Sequence, residues 1–292
     1  MTEPSSAVAA DLAAVITADV ARALSEDIGT GDVTAALIEP GRTVEARVVC
    51  KEPAVLCGAP WFDEVFRQLD PTITVDWKLA EGAEVASGTP VCTLHGPARA
   101  ILSGERTALN FLQTLSGTAT SARRYAMAVA GTRARILDTR KTLPGLRRAQ
   151  KYAVRCGGAS NHRQGLYDAV LIKENHVASA GGITEAVRRA AASHPGLLIE
   201  VEVESLEELR EALATDAQRV MLDDFDLAAL RQAVTVRDAH AAETNTKPKE
   251  LEASGSVDLD TLRAVAETGV DFISIGAMTK HVRAIDYSMR FV

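Results

Sequence analysis

The chain has 292 residues, 47% of them hydrophobic and 24% charged, with a formal net charge of -7. That length suits one large domain or two ordinary ones, and the composition is that of a soluble globular protein. Net acidity argues against broad nucleic-acid binding, which needs a basic surface, and no apolar run reaches the roughly 18 residues of a membrane span.

The opening MTEPSSAVAADLAAVITADV has no basic start, and Asp11 and Asp19 interrupt its apolar residues, so it reads as a helix rather than a signal peptide. Up to about Leu94, short apolar runs (VEARVVC, AVLCG, TITVDWKL, TPVCTLHG) are separated by Gly and Pro, the signature of strands with turns between them. EGAEVASGTPVCTLHG resembles part of a lipoyl- or biotinyl-carrier fold but has no Lys to modify. It reads as a small β-rich domain. From Ala100 to Leu115 the pattern becomes helical, with Leu102, Leu109, Leu112 and Leu115 on one stripe. Spacing alone makes Arg106, which borders that stripe, a rim residue. Cys50, Cys57, Cys92 and Cys156 form no C-x-x-C pair and no zinc spacing, and read as reduced thiols of a cytoplasmic protein.

After about Thr118 a unit repeats: an apolar strand, a polar or Gly-containing end, then a helix. The strands are ARILD, DAVLI, LLIEVEV, RVML, KELEA and DFISI, and helices are expected at ITEAVRRAAASH, SLEELREALA, DLAALRQAV and DLDTLRAVAETG. Ser205 with Glu208 matches a capping box, and Gly269 stands where a helix should stop. Six such units, with no GxGxxG after the first strand, predict a parallel β/α barrel rather than a dinucleotide-binding sheet. The final HVRAIDYSMRFV follows the last strand and is free to return to the first domain.

In such a barrel the chemistry gathers at the C-terminal strand ends. The segment Asp138–Arg163 holds seven Lys and Arg residues in an acidic chain. Arg140, Lys141, His162, Arg163 and Lys173 would converge on one end, and Arg with Lys suits a ligand carrying several carboxylates or phosphates. Arg148, Lys151 and Arg155 share helix spacing and read as a solvated face. Glu200, Glu202 and Glu204 alternate with Ile199, Val201 and Val203. One strand face is therefore acidic, and inside a barrel it needs cations, a metal or sugar hydroxyls. Asp223, at the next strand end, could act with Glu202 on a ribose diol or Mg²⁺. Ser254, Gly255 and Gly276 are small enough to cradle a phosphate.

These motifs together resemble the quinolinate phosphoribosyltransferase family over nearly the whole chain. The carriers are EDIGTGDVT, SGERTALNFLQTLSG, DTRKTLPGLR, GGASNHRQGLYDAVLIKENH, EVEVES, LDDF, EASGS and SIGAMTKHVRAIDYS. The departures are Ala159, where a third Gly is often found, and Lys280, where many relatives have His. The resemblance implies an α/β fold with two parts. An N-terminal α/β sandwich spans residues 1–118 and is rejoined by the tail 280–292, and an incomplete β/α barrel spans 119–279. It implies transfer of phosphoribosyl from phosphoribosyl pyrophosphate to quinolinate with loss of CO₂, giving nicotinate mononucleotide for NAD biosynthesis.

The resemblance also implies roles. Arg140, His162, Arg163 and Lys173 would hold the quinolinate carboxylates, joined by Arg106 from the neighbouring subunit of a homodimer. Lys141 would contact the phosphoribosyl donor, Glu202 and Asp223 would bind ribose hydroxyls and Mg²⁺, and Ser254, Gly255 and Gly276 would line the 5-phosphate pocket. Three other readings fit less well. LDDFDLAAL lacks the Thr-Gly loop of purine-salvage transferases. A sugar-phosphate isomerase barrel does not need so many cations at its first strand ends. A non-catalytic phosphometabolite sensor would not need all the matching charged positions.

Overall fold

The computed structural model describes residues 6–292, with side chains from Asp11 onward. In chain order the elements begin with α1 (Ser6–Ile28), β1 (Thr43–Cys50), β2 (Ala54–Val55), α2 (Ala59–Leu69), β3 (Thr74–Trp77), β4 (Glu84–Val85), β5 (Pro90–Pro97) and α3 (Ala98–Ala128). They continue with β6 (Arg135–Leu137), α4 (Arg147–Cys156), β7 (Ala169–Ile172), α5 (Glu174–Ala180), α6 (Ile183–Ser193), β8 (Leu198–Val203), α7 (Leu206–Leu213) and β9 (Arg219–Asp223). The last are α8 (Leu227–Thr244), β10 (Glu250–Ser254), α9 (Leu262–Ala266), β11 (Phe272–Ser274), α10 (Ala277–Lys280) and β12 (Tyr287–Phe291). Among the described residues no helix is long and apolar enough to cross a membrane.

Two compact units result. The first holds the chain up to Arg123, Thr142–Gly158 and Met278–Val292. Its main sheet is antiparallel in the order β12-β1-β5-β3, so the C-terminal tail does return to the first domain, pairing Tyr287 with Cys50. The helices and this sheet share a core around Trp61, Phe62, Phe66, Leu109, Leu112 and Leu115. Helix α2 is absent from the sequence reading, although Trp61, Phe62, Val65 and Phe66 recur at helical spacing and are buried.

Residues 142–158 differ from the expected boundary, because they belong to the first unit rather than the barrel. Ala149 and Ala153 of α4 are part of the first core. The expected solvated face of α4 is corrected as well. Arg148 pairs with Asp11 and Arg155 is exposed, but Lys151 is 0% exposed. Five of the helix's residues (Ala149, Gln150, Lys151, Ala153, Val154) are buried, so α4 is covered on more than one side.

The second unit, Arg124–Lys141 with Ala159–Ala277, holds all six expected strands in one parallel sheet, ordered β6-β11-β10-β9-β8-β7. The first strand lies beside the last, which is the cyclic order of a barrel. A doubly wound sheet would reverse instead. Strands β6 and β7 are the sheet's edges, and a single bridge, Leu137 to Ser160, reaches across from β6. The barrel is therefore incomplete. Half of the expected capping box after β8 forms: Ser205 Oγ accepts from Glu208 N–H at 3.2 Å, while the Glu208 carboxylate accepts from Glu204 N–H at 2.7 Å. Gly269 follows α9 with φ of 97°.

Candidate active site

The sheet register sorts the barrel side chains onto two faces. In β8, β9 and β10, Glu202, Met221 and Glu252 are register partners, and one step further Asp223 pairs with Ser254. Glu200, Arg219 and Glu250 form the layer below. Polar groups therefore share one face, and Val201, Val220, Leu222, Leu251 and Ile273 take the other. Of the three glutamates expected on the acidic face, Glu200 and Glu202 are 1% and 7% exposed, and Glu204 lies exposed just beyond β8.

At the end of β6, Asp138 is fully buried and organises the returning loop. Its carboxylate accepts from Asn161 Nδ2 at 2.6 Å and from His162 N–H at 2.8 Å. Ser160 N–H donates to Ile136 O at 2.8 Å, and Asp138 N–H donates back to Ser160 O at 3.1 Å. This brings His162 and Arg163 to the strand end that already carries Arg140 and Lys141. His162 Nδ1 accepts from Arg163 N–H at 2.7 Å, and its Nε2 faces Glu200 at 2.9 Å and Glu252 at 3.6 Å. Both Glu252 and Glu200 are buried, and Arg219 Nη1 lies 3.5 Å from Glu252. Burial, then the charge of Glu200, hold the Glu252 carboxyl well above its ordinary range.

Arg163 Nη1 donates to Ala169 O at 3.3 Å at the start of β7. Its guanidinium is held below its ordinary range by burial and then by the positive charge of Arg140. The charges of Glu200 and Asp168 oppose that shift. Lys173, the cap of α5, forms an ion pair through Nζ with Glu202, while its N–H donates to His176 Nδ1 at 2.9 Å. The Glu202 carboxyl is raised, first by burial and further by nearby Asp223, with Lys173 opposing.

Both glycines are closely approached by side chains of neighbouring strand ends. A Cβ on Gly276 would lie 3.0 Å from Lys141 Cδ and 3.3 Å from Thr139 Oγ1. Gly255 has φ of 134°, and a Cβ there would meet Asp224 Oδ1 at 2.5 Å. Asp224 itself is left-handed, with φ of 53°, and its N–H donates to Ser254 O at 3.1 Å.

Ten of the eleven expected site residues thus lie in the second unit: Arg140, Lys141, His162, Arg163, Lys173, Glu202, Asp223, Ser254, Gly255 and Gly276. Arg106 lies on α3 in the first unit and is exposed. Sequence reasoning missed Asp138, Asn161, Arg219 and Glu252. The Glu252 signal was available, because KELEA alternates acid and apolar residues as EVEVE does.

The family model for the N-terminal domain of quinolinate phosphoribosyl transferase matches residues 32–116, and that for its C-terminal domain matches 118–290. The chain is 42% identical over 277 residues to a nicotinate-nucleotide pyrophosphorylase (carboxylating) of Mycobacterium leprae, covering 92% of this chain and 95% of that one. It is 37% identical over 289 residues to a quinolinate phosphoribosyltransferase (decarboxylating) of Nicotiana tabacum, covering 92% and 80%. Among solved structures, the nicotinate-nucleotide pyrophosphorylase of Francisella tularensis superposes with a TM-score of 0.89 at 43% identity, covering 96% and 97%. Both domain models match in order, and relatives well above 30% identity cover almost the whole chain, so this chain belongs to the quinolinate phosphoribosyltransferase family.

Proposed function

We propose that the second unit's strand ends bind quinolinate and phosphoribosyl pyrophosphate and join them with loss of CO₂, forming nicotinate mononucleotide and pyrophosphate. The observation that carries this is the cation set Arg140, Arg163 and Lys173. Arg163 feels Arg140 directly, and Lys173 stands at the end of β7, the next strand in the chain. A dianion with two adjacent carboxylates relieves that repulsion. His162 and, in a homodimer with shared sites, Arg106 of the partner subunit complete the carboxylate pocket. Four free thiols agree with a cytoplasmic setting.

The Lys173–Glu202 ion pair holds the substrate's place. When a quinolinate carboxylate takes Lys173, Glu202 is released towards the ribose. Lys141, lying along Gly276, receives the phosphoribosyl donor, whose 5-phosphate meets Ser254, Gly255 and Gly276. The ring nitrogen attacks C1 of the ribose as the bond from C1 to the pyrophosphate oxygen breaks. Glu202 and Asp223 stabilise the positive charge that develops on the sugar. The carboxylate at ring position 2 then leaves as CO₂, its electron pair passing into the pyridinium. No protein nucleophile is required, and positioning with electrostatics supplies most of the rate.

Glu202 and Asp223 fit Mg²⁺: both are hard oxygen donors on one sheet face, and they lie close enough for the Asp223 charge to bear on the Glu202 carboxyl. When bound there, Mg²⁺ supplies charge neutralisation for the departing pyrophosphate.

The test is to mix the purified protein with Mg²⁺, phosphoribosyl pyrophosphate and quinolinate, and to follow nicotinate mononucleotide and CO₂. Product is expected with quinolinate and not with nicotinate. Product from nicotinate, or none from the folded protein, would overturn the substrate assignment.

A further inference from the structure

Two thiols in the first unit take no part in this chemistry. Cys57 lies in the turn between β2 and α2 and is fully buried, and Cys156 is the last residue of α4 and partly exposed. Their Sγ atoms lie within 4.8 Å of one another. Helix α3 fixes both positions. Cys57 N–H donates to Ser116 Oγ, and the Ser116 hydroxyl donates to Cys57 O, each at 3.0 Å. Beside Cys156, a Cβ on Gly157 would lie 2.4 Å from Ala119 O and 2.6 Å from Ala122 Cβ, so the end of α4 is pressed onto the same helix. Arg123 Nε donates to Gly157 O at 3.0 Å.

The two sulfurs are chemically unequal. The Cys156 thiol is held below its ordinary range, first by the hydrogen bond from Cys57 and also by Tyr152 and Arg155, against burial and the charge of Glu81. The Cys57 thiol is pushed well up, first by burial and then by the hydrogen bond to Cys156. A partly exposed thiol favoured towards thiolate, beside a buried thiol favoured towards its protonated form, pairs a nucleophile with a resolving partner. Glu81 is the third member of this cluster, but its oxygens accept from Gly58 N–H at 2.6 Å and Ala59 N–H at 3.2 Å. Two remaining sulfur ligands fall short of the four that structural zinc takes.

We propose that Cys156 and Cys57 form a dithiol pair that hydroperoxides oxidise to a disulfide. The Cys156 thiolate attacks one peroxide oxygen and the O–O bond breaks. With hydrogen peroxide the departing oxygen takes a proton and leaves as water, and Cys156 becomes a sulfenic acid. The Cys57 sulfur then attacks the Cys156 sulfur and gives up its proton, which leaves with the hydroxyl as a second water. Two thiols are oxidised to one disulfide, and one peroxide is reduced to two waters. The bond ties the end of α4, which lies between Lys141 and His162 in the chain, to the start of α2.

Peptide mapping of the full chain tests this directly. Under limiting iodoacetamide at neutral pH, the partly exposed Cys156 should react several-fold faster than the buried Cys50, Cys57 or Cys92. Stoichiometric hydrogen peroxide should give a Cys57–Cys156 cross-linked peptide that dithiothreitol releases. Cys57→Ser should leave Cys156 as a sulfenic acid captured by dimedone, and Cys156→Ser should give no cross-link. Should either variant fail to fold, the map of the unaltered chain decides. Equal alkylation of all four thiols, oxidation of Cys156 to sulfinic acid with no cross-link, or stoichiometric zinc in the purified protein would overturn the proposal.

Discussion

The two faces of the parallel sheet are made of opposite materials. On one, Val201, Val220, Leu222, Leu251 and Ile273 are buried almost completely. Each such side chain contributes about 1.5–3 kcal/mol of burial. On the other, Glu200, Glu202, Arg219, Asp223, Glu252 and Ser254 occupy alternate positions of the same strands. Buried carboxylates cost stability, several kcal/mol per ion, unless they are compensated. The apolar face therefore holds the barrel together, and the polar face carries groups whose burial has to be compensated.

The comparison breaks most sharply at the cations. Arg140→Ala or Lys173→Ala should lower kcat/KM by about a hundredfold or more, the scale of truncating one partner of a buried charge pair with the substrate. Circular dichroism should show the fold intact, and near-normal turnover in either folded variant would contradict the assignment. Arg106→Ala and Lys173→Ala chains, each inactive alone, should recover roughly a quarter of the native activity when mixed and allowed to exchange subunits. Random pairing in a symmetric dimer sets that fraction. No recovery despite confirmed exchange would argue against a shared site.

The apolar face should behave oppositely. Leu222→Ala should cost about 2–5 kcal/mol in urea unfolding through its cavity and leave KM unchanged. A large kinetic defect with native stability would contradict the division between the faces.

Glu252 sharpens the comparison through pH. Its carboxyl is raised well above the ordinary 4.5, so the folded chain holds this proton more tightly than the unfolded chain does. The stabilisation is fully present below about pH 4.5 and is lost as the pH rises through the raised value. Glu252→Gln removes that proton, so its stability curve should be flatter than the native one. The native chain should fall relative to the variant by up to about 1.4 kcal/mol per pH unit in this window. Parallel curves would show that Glu252 titrates normally.

Much of this was legible in the sequence because alternation is a local signal. EVEVE and the six apolar runs fixed the strands and the acidic face, and the cation-rich strand ends marked the anion site. What escaped depends on packing. Helix α2 sits among Gly and Pro signals that read as turns. Lys151 looked solvent-facing by spacing, yet α4 is covered on more than one side. Asp138 directs the His162 loop through hydrogen bonds that only the folded chain forms. Arg106 was a rim residue by spacing, and the resemblance gave it a role across a dimer. On α3 it is exposed, in agreement with either reading.

The most direct test of the central claim, that the polar face is a dicarboxylate site, is calorimetric titration of the protein alone with quinolinate and then nicotinate. The account predicts quinolinate binding about ten- to a hundredfold tighter, since one more charge-assisted contact contributes about 1.5–3 kcal/mol. Equal affinity for the two ligands would contradict it.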